Sequence, residues 1–256
     1  AEQLTLLATE LHARQSSEHY AELVFEARQE WMRDQRSQAH GRNLDLLEED
    51  LRRQRSLDPA LVAALATAKA EGYCLWQQAR QESDFALFAP ALESLIDLRQ
   101  QQAGQLAEPR SCWETLAQPF EPDLTLKRLQ ALFAPLRERL PQLLSGVKAL
   151  PKSRSAGWDL LEADQQRLCD QLLNSWGRDS EITAMARSPH PFSITLGPDD
   201  YRITTRVVPG QPLSCFLATA HEWGHSLYEQ GLPDQSHQWF AWPLGQATSM
   251  AVHESQ

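Results

Sequence analysis

An excess of positive charge is the first thing this sequence lacks. Its 24 lysines and arginines stand against 34 aspartates and glutamates, a formal net charge of −10. Nucleic acid calls for a basic patch or stripe, so acidic residues spread along the chain exclude it as a partner. Long apolar runs are missing too. No segment approaches the roughly 20 consecutive apolar residues that a membrane helix requires, and no signal peptide stands at the start. No membrane partner is therefore expected. Cysteine is scarce: Cys74, Cys112, Cys169 and Cys215 are far apart and form no C-x-x-C pair. Isolated buried thiols are expected rather than disulfides, which suits the cytoplasm. The chain contains no G-x-S-x-G elbow, no G-x-x-x-x-G-K-[ST] loop and no G-x-G-x-x-G turn. Serine-elbow hydrolysis, P-loop phosphate binding and dinucleotide binding lose their usual signatures with them. No cysteine carries a histidine pattern that would mark a thiol protease.

What remains is helical periodicity. The 256 residues, 42% of them hydrophobic, suffice for one sizeable core or two small ones, and residues 1–256 read as a single, mostly helical domain. Residues 1–187 form its helical region. Leu4, Leu7 and Leu11 recur at helical spacing, Ser17 caps a helix through Tyr20, Leu23, Val24 and Ala27, and Asp58-Pro59 opens a longer one. Leu61, Leu65, Ala68 and Leu75 form its stripe; Phe85, Phe88, Leu92, Leu95 and Leu98 form the next; Thr125 starts another through Leu126, Leu129, Leu132 and Phe133. These stripes are expected in the core. The charged run from Leu46 to Gln54 reads as a solvated face. Pro109, Pro119, Pro122, Pro141 and Pro151 read as breaks between helices. The texture changes at Ser188. Strand formers from Phe192 to Leu196, the turn Gly197-Pro198-Asp199-Asp200, and alternation from Tyr201 to Val208 predict a β-hairpin over 188–210. Residues 211–256 read as two helices, the second roughly from Pro243 to Gln256.

The first of those helices carries His221-Glu222-Trp223-Gly224-His225. Residues four apart share a helix face, so the two imidazoles of an H-E-x-x-H run reach one metal ion. Glu222 lies beside them, where its carboxylate can take the proton of the attacking water. A catalytic zinc usually has three protein ligands. Downstream candidates for the third are Glu229, Asp234, His237, His253 and Glu254. Glu229 lies a turn too far along the same stripe, Asp234 and His237 follow the Gly231 stop, and Glu254 would return on an antiparallel helix. Spacing leaves this choice open.

Four motifs in order add to this. His190-Pro191-Phe192, Asp200-x-Arg202-x-Thr204, the H-E-x-x-H run and His253-Glu254-Ser255-Gln256 resemble the HPF, DxRxT, HExxH and HES(Q/R) signatures of the carboxypeptidase Taq family of zinc metallocarboxypeptidases. The resemblance implies a mainly α, zincin-like multi-helix metallopeptidase with the small hairpin next to the HExxH helix. It implies one zinc per chain held by His221, His225 and Glu254, with Co²⁺ an alternative metal, and Glu222 as general base. It places His190 at the site wall and Arg202 near the site, both candidates for substrate binding. Peptides are the implied substrates, shortened from the C-terminus with broad side-chain tolerance by a homodimer. An oligopeptide endopeptidase and an inactive metal-binding relative are the competing readings. The family runs to about twice this length, with further motifs beyond HES, and this chain begins without Met. An incomplete peptidase domain is thus expected, one that binds zinc but lacks the residue that takes the substrate's terminal carboxylate.

Overall fold

A computed structural model describes residues 1–34, 37–148 and 160–255. The single domain expected from the sequence divides into two compact units, one of residues 1–122 with 242–244 and one of residues 123–241 with 245–256.

The first unit is all helical: α1 (Glu2–Gln15), α2 (Glu18–Asp34), α3 (Gln38–Ser56), α4 (Pro59–Glu82), a 3₁₀ turn (Phe85–Leu87), α5 (Ala89–Leu106) and α6 (Cys112–Ala117). Several ends follow the local chemistry. Ser17 Oγ accepts from the Tyr20 amide, and Asp58 accepts from the Ala60 amide with Pro59 opening the helix. Leu61 and Leu65 are buried as their stripe demands, while Leu75 and Phe85 are exposed. The Leu4, Leu7 and Leu11 stripe is a correction. All three are exposed, and α1 turns a polar face inward instead. Thr5 Oγ1 lies 2.9 Å from Thr67 Oγ1 of α4, and buried His12 lies 3.3 Å from Gln54 Oε1 of α3. A hydroxyl pair and an imidazole–amide pair satisfy each other at close quarters, so the polar side can be the packed side. The charged stretch of α3 is partly bridged rather than simply solvated. Arg28 joins Asp45 and Glu48, and Glu108 joins Arg52 and Arg53.

The second unit begins with α7 (Leu126–Lys148) and α8 (Glu162–Ser175), continues through β1 (Thr183–Arg187), β2 (Ser193–Gly197) and β3 (Asp200–Thr205), and ends with α9 (Pro212–Gln230) and α10 (Met250–His253). Pro141, expected to break a helix, sits inside α7 together with Pro135; Pro151 lies outside the described residues. The hairpin is present, with β2 antiparallel to β3 and Ile194 opposite Arg202. Residues 1–187, however, are not wholly helical. Thr183–Arg187 form a third strand, parallel to β3 from Thr183↔Tyr201 to Arg187↔Thr205. The run Thr-Ala-Met-Ala-Arg has no strand pattern of its own; a ladder partner distant in sequence makes it a strand. The sheet order β1-β3-β2 leaves β2 at an edge. Leu173 of α8, Ile203 of β3 and Trp223 of α9 form the buried centre, with Met185 of β1 packed on it. This core clamps α9 to the sheet.

Cysteines divide by unit. Cys74 and Cys112 are exposed, against expectation, while Cys169 and Cys215 are buried with their sulfurs 3.4 Å apart. Burial pushes the Cys169 thiol up to about 12, which keeps it protonated and inert.

Candidate active site

Helix α9 starts with Pro212 at its first turn and stops at Gly231, whose amide bonds back to Leu227 and Tyr228. Its packed stripe is Cys215, Thr219, Glu222, Trp223 and Ser226. That burial sets the helix rotation and turns His221 and His225 towards a cleft of about 560 Å³. The opposite wall is the HPF segment and β2, from His190 to Thr195.

Three donor atoms converge there. His221 Nε2 and His225 Nε2 are 3.1 Å apart, and Glu254 Oε2 lies 3.5 and 3.7 Å from them. Tetrahedral zinc with bonds of about 2.0–2.1 Å spaces its ligands by about 3.3–3.4 Å, so this donor set fits a divalent metal without rearrangement. Among the described residues these three form the one such cluster. Of the downstream candidates that spacing left open, Glu254 is the one whose carboxylate lies beside both imidazoles. The other candidates are engaged elsewhere. Asp234 accepts from the Ser236 amide and hydroxyl, His237 Nδ1 accepts from the Trp239 amide, and Glu229 binds His253.

The route by which Glu254 arrives differs from expectation. In place of a long helix over 243–256 there is a 3₁₀ turn at Pro243–Gly245 and then four-residue α10, with Glu254 as its C-cap. The chain packs closely at Gly245, at the end of that turn. A Cβ there would stand 2.1 Å from the Trp239 carbonyl oxygen. Ser249 then caps α10 afresh by accepting from the Val252 amide.

Glu222 is 6% exposed and lines the same cleft. Burial raises its pKa above the ordinary carboxylate value; His221 and His190 oppose that shift and Glu254 adds to it. His225 is shifted down, first by burial and then by neighbouring His221, which keeps its imidazole neutral and able to bind metal. His190 stands on the cleft wall with Nδ1 2.6 Å from the Pro191 carbonyl. Arg202 does not line the cleft. Its guanidinium grips Asp200 with two bonds of 2.8 and 3.0 Å at an exposed position. The D-x-R part of its motif is thus an internal ion pair across alternate residues of β3. The pair matches a structural role for Arg202 near the site, and no substrate contact is assigned to it.

Sequence reasoning missed how His225 is held. Its Nδ1 lies 2.7 Å from His253 Nδ1, and His253 Nε2 lies 2.9 Å from Glu229 Oε1. Tyr228 packs on the His253 ring with centroids 4.6 Å apart. The available signal was Glu229, four residues after His225 on one stripe.

Comparison with known proteins agrees with this geometry. The model of the carboxypeptidase Taq (M32) metallopeptidases matches residues 1–256. The chain belongs to that family. It is 34% identical over 218 residues to thermostable carboxypeptidase 1 of Thermus thermophilus, covering 80% of this chain and 42% of that one. It is 27% identical to carboxypeptidase 1 of Bacillus subtilis over 100% of this chain and 51% of the relative. The crystal structure of the M32 carboxypeptidase from Deinococcus radiodurans R1 superposes with a TM-score of 0.82 at 29% identity, over 100% of this chain and 50% of that one. The chain thus spans about half the length of these relatives. No helix among the described residues is long and apolar enough to cross a membrane.

Proposed function

We propose that this chain carries the metal-binding and proton-transfer residues of a zinc metallocarboxypeptidase. The convergence of His221, His225 and Glu254 on one point, with the buried Glu222 carboxyl beside it in the same cleft, carries the reading. Zinc bound there would polarise the scissile carbonyl as a Lewis acid and lower the pKa of water towards about 7. Glu222 accepts the proton of the attacking water and returns it to the leaving amine. Its raised pKa makes Glu222 a better acceptor of the water proton than an ordinary carboxylate, while the protonated carboxyl stays acidic enough to pass that proton to the leaving amine.

Substrate is held by backbone more than by side chain. β2 is an edge strand, and Ser193, Ile194 and Thr195 line the cleft. An extended peptide pairing along that edge uses main-chain hydrogen bonds, which favours broad side-chain tolerance. His190 on the same wall is placed to contact the peptide. Among the described residues lining the cleft there is no lysine or arginine. Recognition of a terminal carboxylate calls for such a group, so full exopeptidase activity depends on a cation from outside this cleft wall. The family resemblance suggests a homodimer as the working form.

The test is Glu222→Gln at matched zinc content. The variant keeps the shape and loses the base. Peptide hydrolysis should fall by roughly 10²–10⁴-fold while zinc stays bound. Hydrolysis near the parent rate would refute the role. Comparing peptides with free and amidated C-termini separates the exopeptidase from an endopeptidase, which would cut both.

A further inference from the structure

We infer that Glu229 and His253 are positioning residues for the metal ligand His225, joined to it as a chain from carboxylate to imidazole to imidazole. The inference rests on the reading of His221, His225 and Glu254 as ligands, and it assigns work to two residues outside that set.

Proton bookkeeping gives the chain its direction. His225 presents Nε2 to the point where His221 and Glu254 converge, so that nitrogen must offer a lone pair and the ring hydrogen sits on Nδ1. At 2.7 Å that hydrogen is donated to His253 Nδ1, which therefore carries none. The hydrogen of His253 is then on Nε2 and is donated to Glu229 Oε1 at 2.9 Å. Two hydrogen bonds use two hydrogens, one from each ring, and the run ends on an acceptor oxygen of Glu229. A ligating histidine commonly donates its second N–H directly to a carboxylate or carbonyl. Here an imidazole is inserted between the two. The consequence is the same: one tautomer, one ring rotation and a more basic Nε2.

Geometry excludes a simpler role for His253 as a fourth ligand. Both its nitrogens are spent on His225 and Glu229, away from the converging donors. The chain also has a second effect. His253 directly precedes Glu254, and α10 is only four residues long. A helix that short is not stable by itself and depends on its tertiary contacts. The bonds to α9, with Tyr228 packed on the ring at 4.6 Å, hold the segment that delivers the third ligand.

The experiment measures zinc affinity of the 256-residue chain by competition with a chromophoric chelator, so no peptidase activity is needed. His253→Phe keeps a ring against Tyr228 but removes both hydrogen bonds, and should weaken zinc binding by about 10–100-fold. His253→Asn retains a short side chain with an acceptor near the Nδ1 position, and should recover several-fold of that loss. A role in packing alone predicts the opposite order, since Asn packs less well than Phe. Zinc affinity of His253→Phe within twofold of the parent overturns the inference, as does His253→Asn binding no tighter than His253→Phe. Should the Phe variant fail to fold, Glu229→Leu removes the far acceptor and should still cost several-fold; parent-like affinity there overturns it too. His221→Ala is the reference for the site. If it binds zinc as tightly as the parent, the ligand assignment itself has failed and this inference falls with it.

Discussion

Truncating Leu173 should loosen the support beneath the metal-binding helix, and the cost can be worked out. Leu173 is 0% exposed and meets Ile203 and Trp223 in the centre of the second unit. Leu173→Ala removes three buried carbons, about 2.4 kcal/mol at about 0.8 kcal/mol each. The neighbours cannot collapse freely, because β3 holds Ile203 in a ladder on both sides and Trp223 is fixed within α9. A cavity term therefore adds to the transfer term, giving about 3–5 kcal/mol in total. Leu217 of α9 is the control in the same unit. It is 70% exposed, so Leu217→Ala should cost under about 0.5 kcal/mol. Amide hydrogen exchange of α9 and β3 peptides against urea reports the opening free energy of this unit without assuming that the whole chain unfolds in one step. A cost under about 1 kcal/mol for Leu173→Ala would refute the packing argument. So would an equal cost for Leu217→Ala.

Glu254→Ala should lower zinc occupancy measured by metal analysis; unchanged occupancy would point to Asp234 or His237 as the working third ligand. In the metal-free chain, Glu222→Gln should raise the thermal midpoint at pH 7.5, because burial raises the folded-state pKa of Glu222 and its ionised form therefore costs stability above that pKa. The advantage should shrink as pH falls and the native carboxyl takes up its proton; calorimetry showing a gap that widens on acidification would contradict the assignment. On α7, Leu126, Leu129, Phe133, Leu136, Leu140, Leu143 and Val147 alternate at spacings of three and four, and Leu136 and Leu143 are 45% and 62% exposed. Replacing those two with Glu should reduce binding of a hydrophobic dye while changing zinc affinity less than twofold; an unchanged dye signal would mean that the stripe is not open to solvent.

How far the sequence foretold this arrangement depends on how local each cause is. Helix ends were legible because their chemistry is local: Ser17, Asp58 and Gly231 act on amides or carbonyls within a few residues. The juxtaposition of His221 and His225 was legible because four residues on a helix is fixed geometry. Glu254 was singled out only by the family resemblance, since its approach runs through a 3₁₀ turn and a short helix that the local pattern of residues 243–256 does not show. β1 was invisible because its strand character comes from β3, far along the chain. The stripe of α1 misled for a related reason. Apolar periodicity marks a face but not its partner, and Thr5 and His12 found partners on α4 and α3. The D-x-R motif places Arg202 near the site by resemblance, and the ion pair with Asp200 within one strand is local geometry that the spacing of two makes available.

The residues of α9 that carry no chemistry determine how well the others can perform it. Cys215, Thr219, Trp223 and Ser226 lie on a stripe spaced by four, four and three, and all are buried. Thr219 donates to Thr205 of β3 at 2.9 Å, and Trp223 meets Leu173 and Ile203. A helix turns by about 100° per residue, so a register error of one residue would carry both histidines out of the cleft. Hydroxyl pairing and a buried indole oppose that rotation from two directions. His221 remains 45% exposed and His225 13% exposed at the side chain, so the more buried ligand is the one that also receives the Glu229–His253 chain. The more open one is left to the metal and the substrate side. Rigid support is concentrated where a misplaced nitrogen could not be corrected by solvent, and access is kept where peptide must enter.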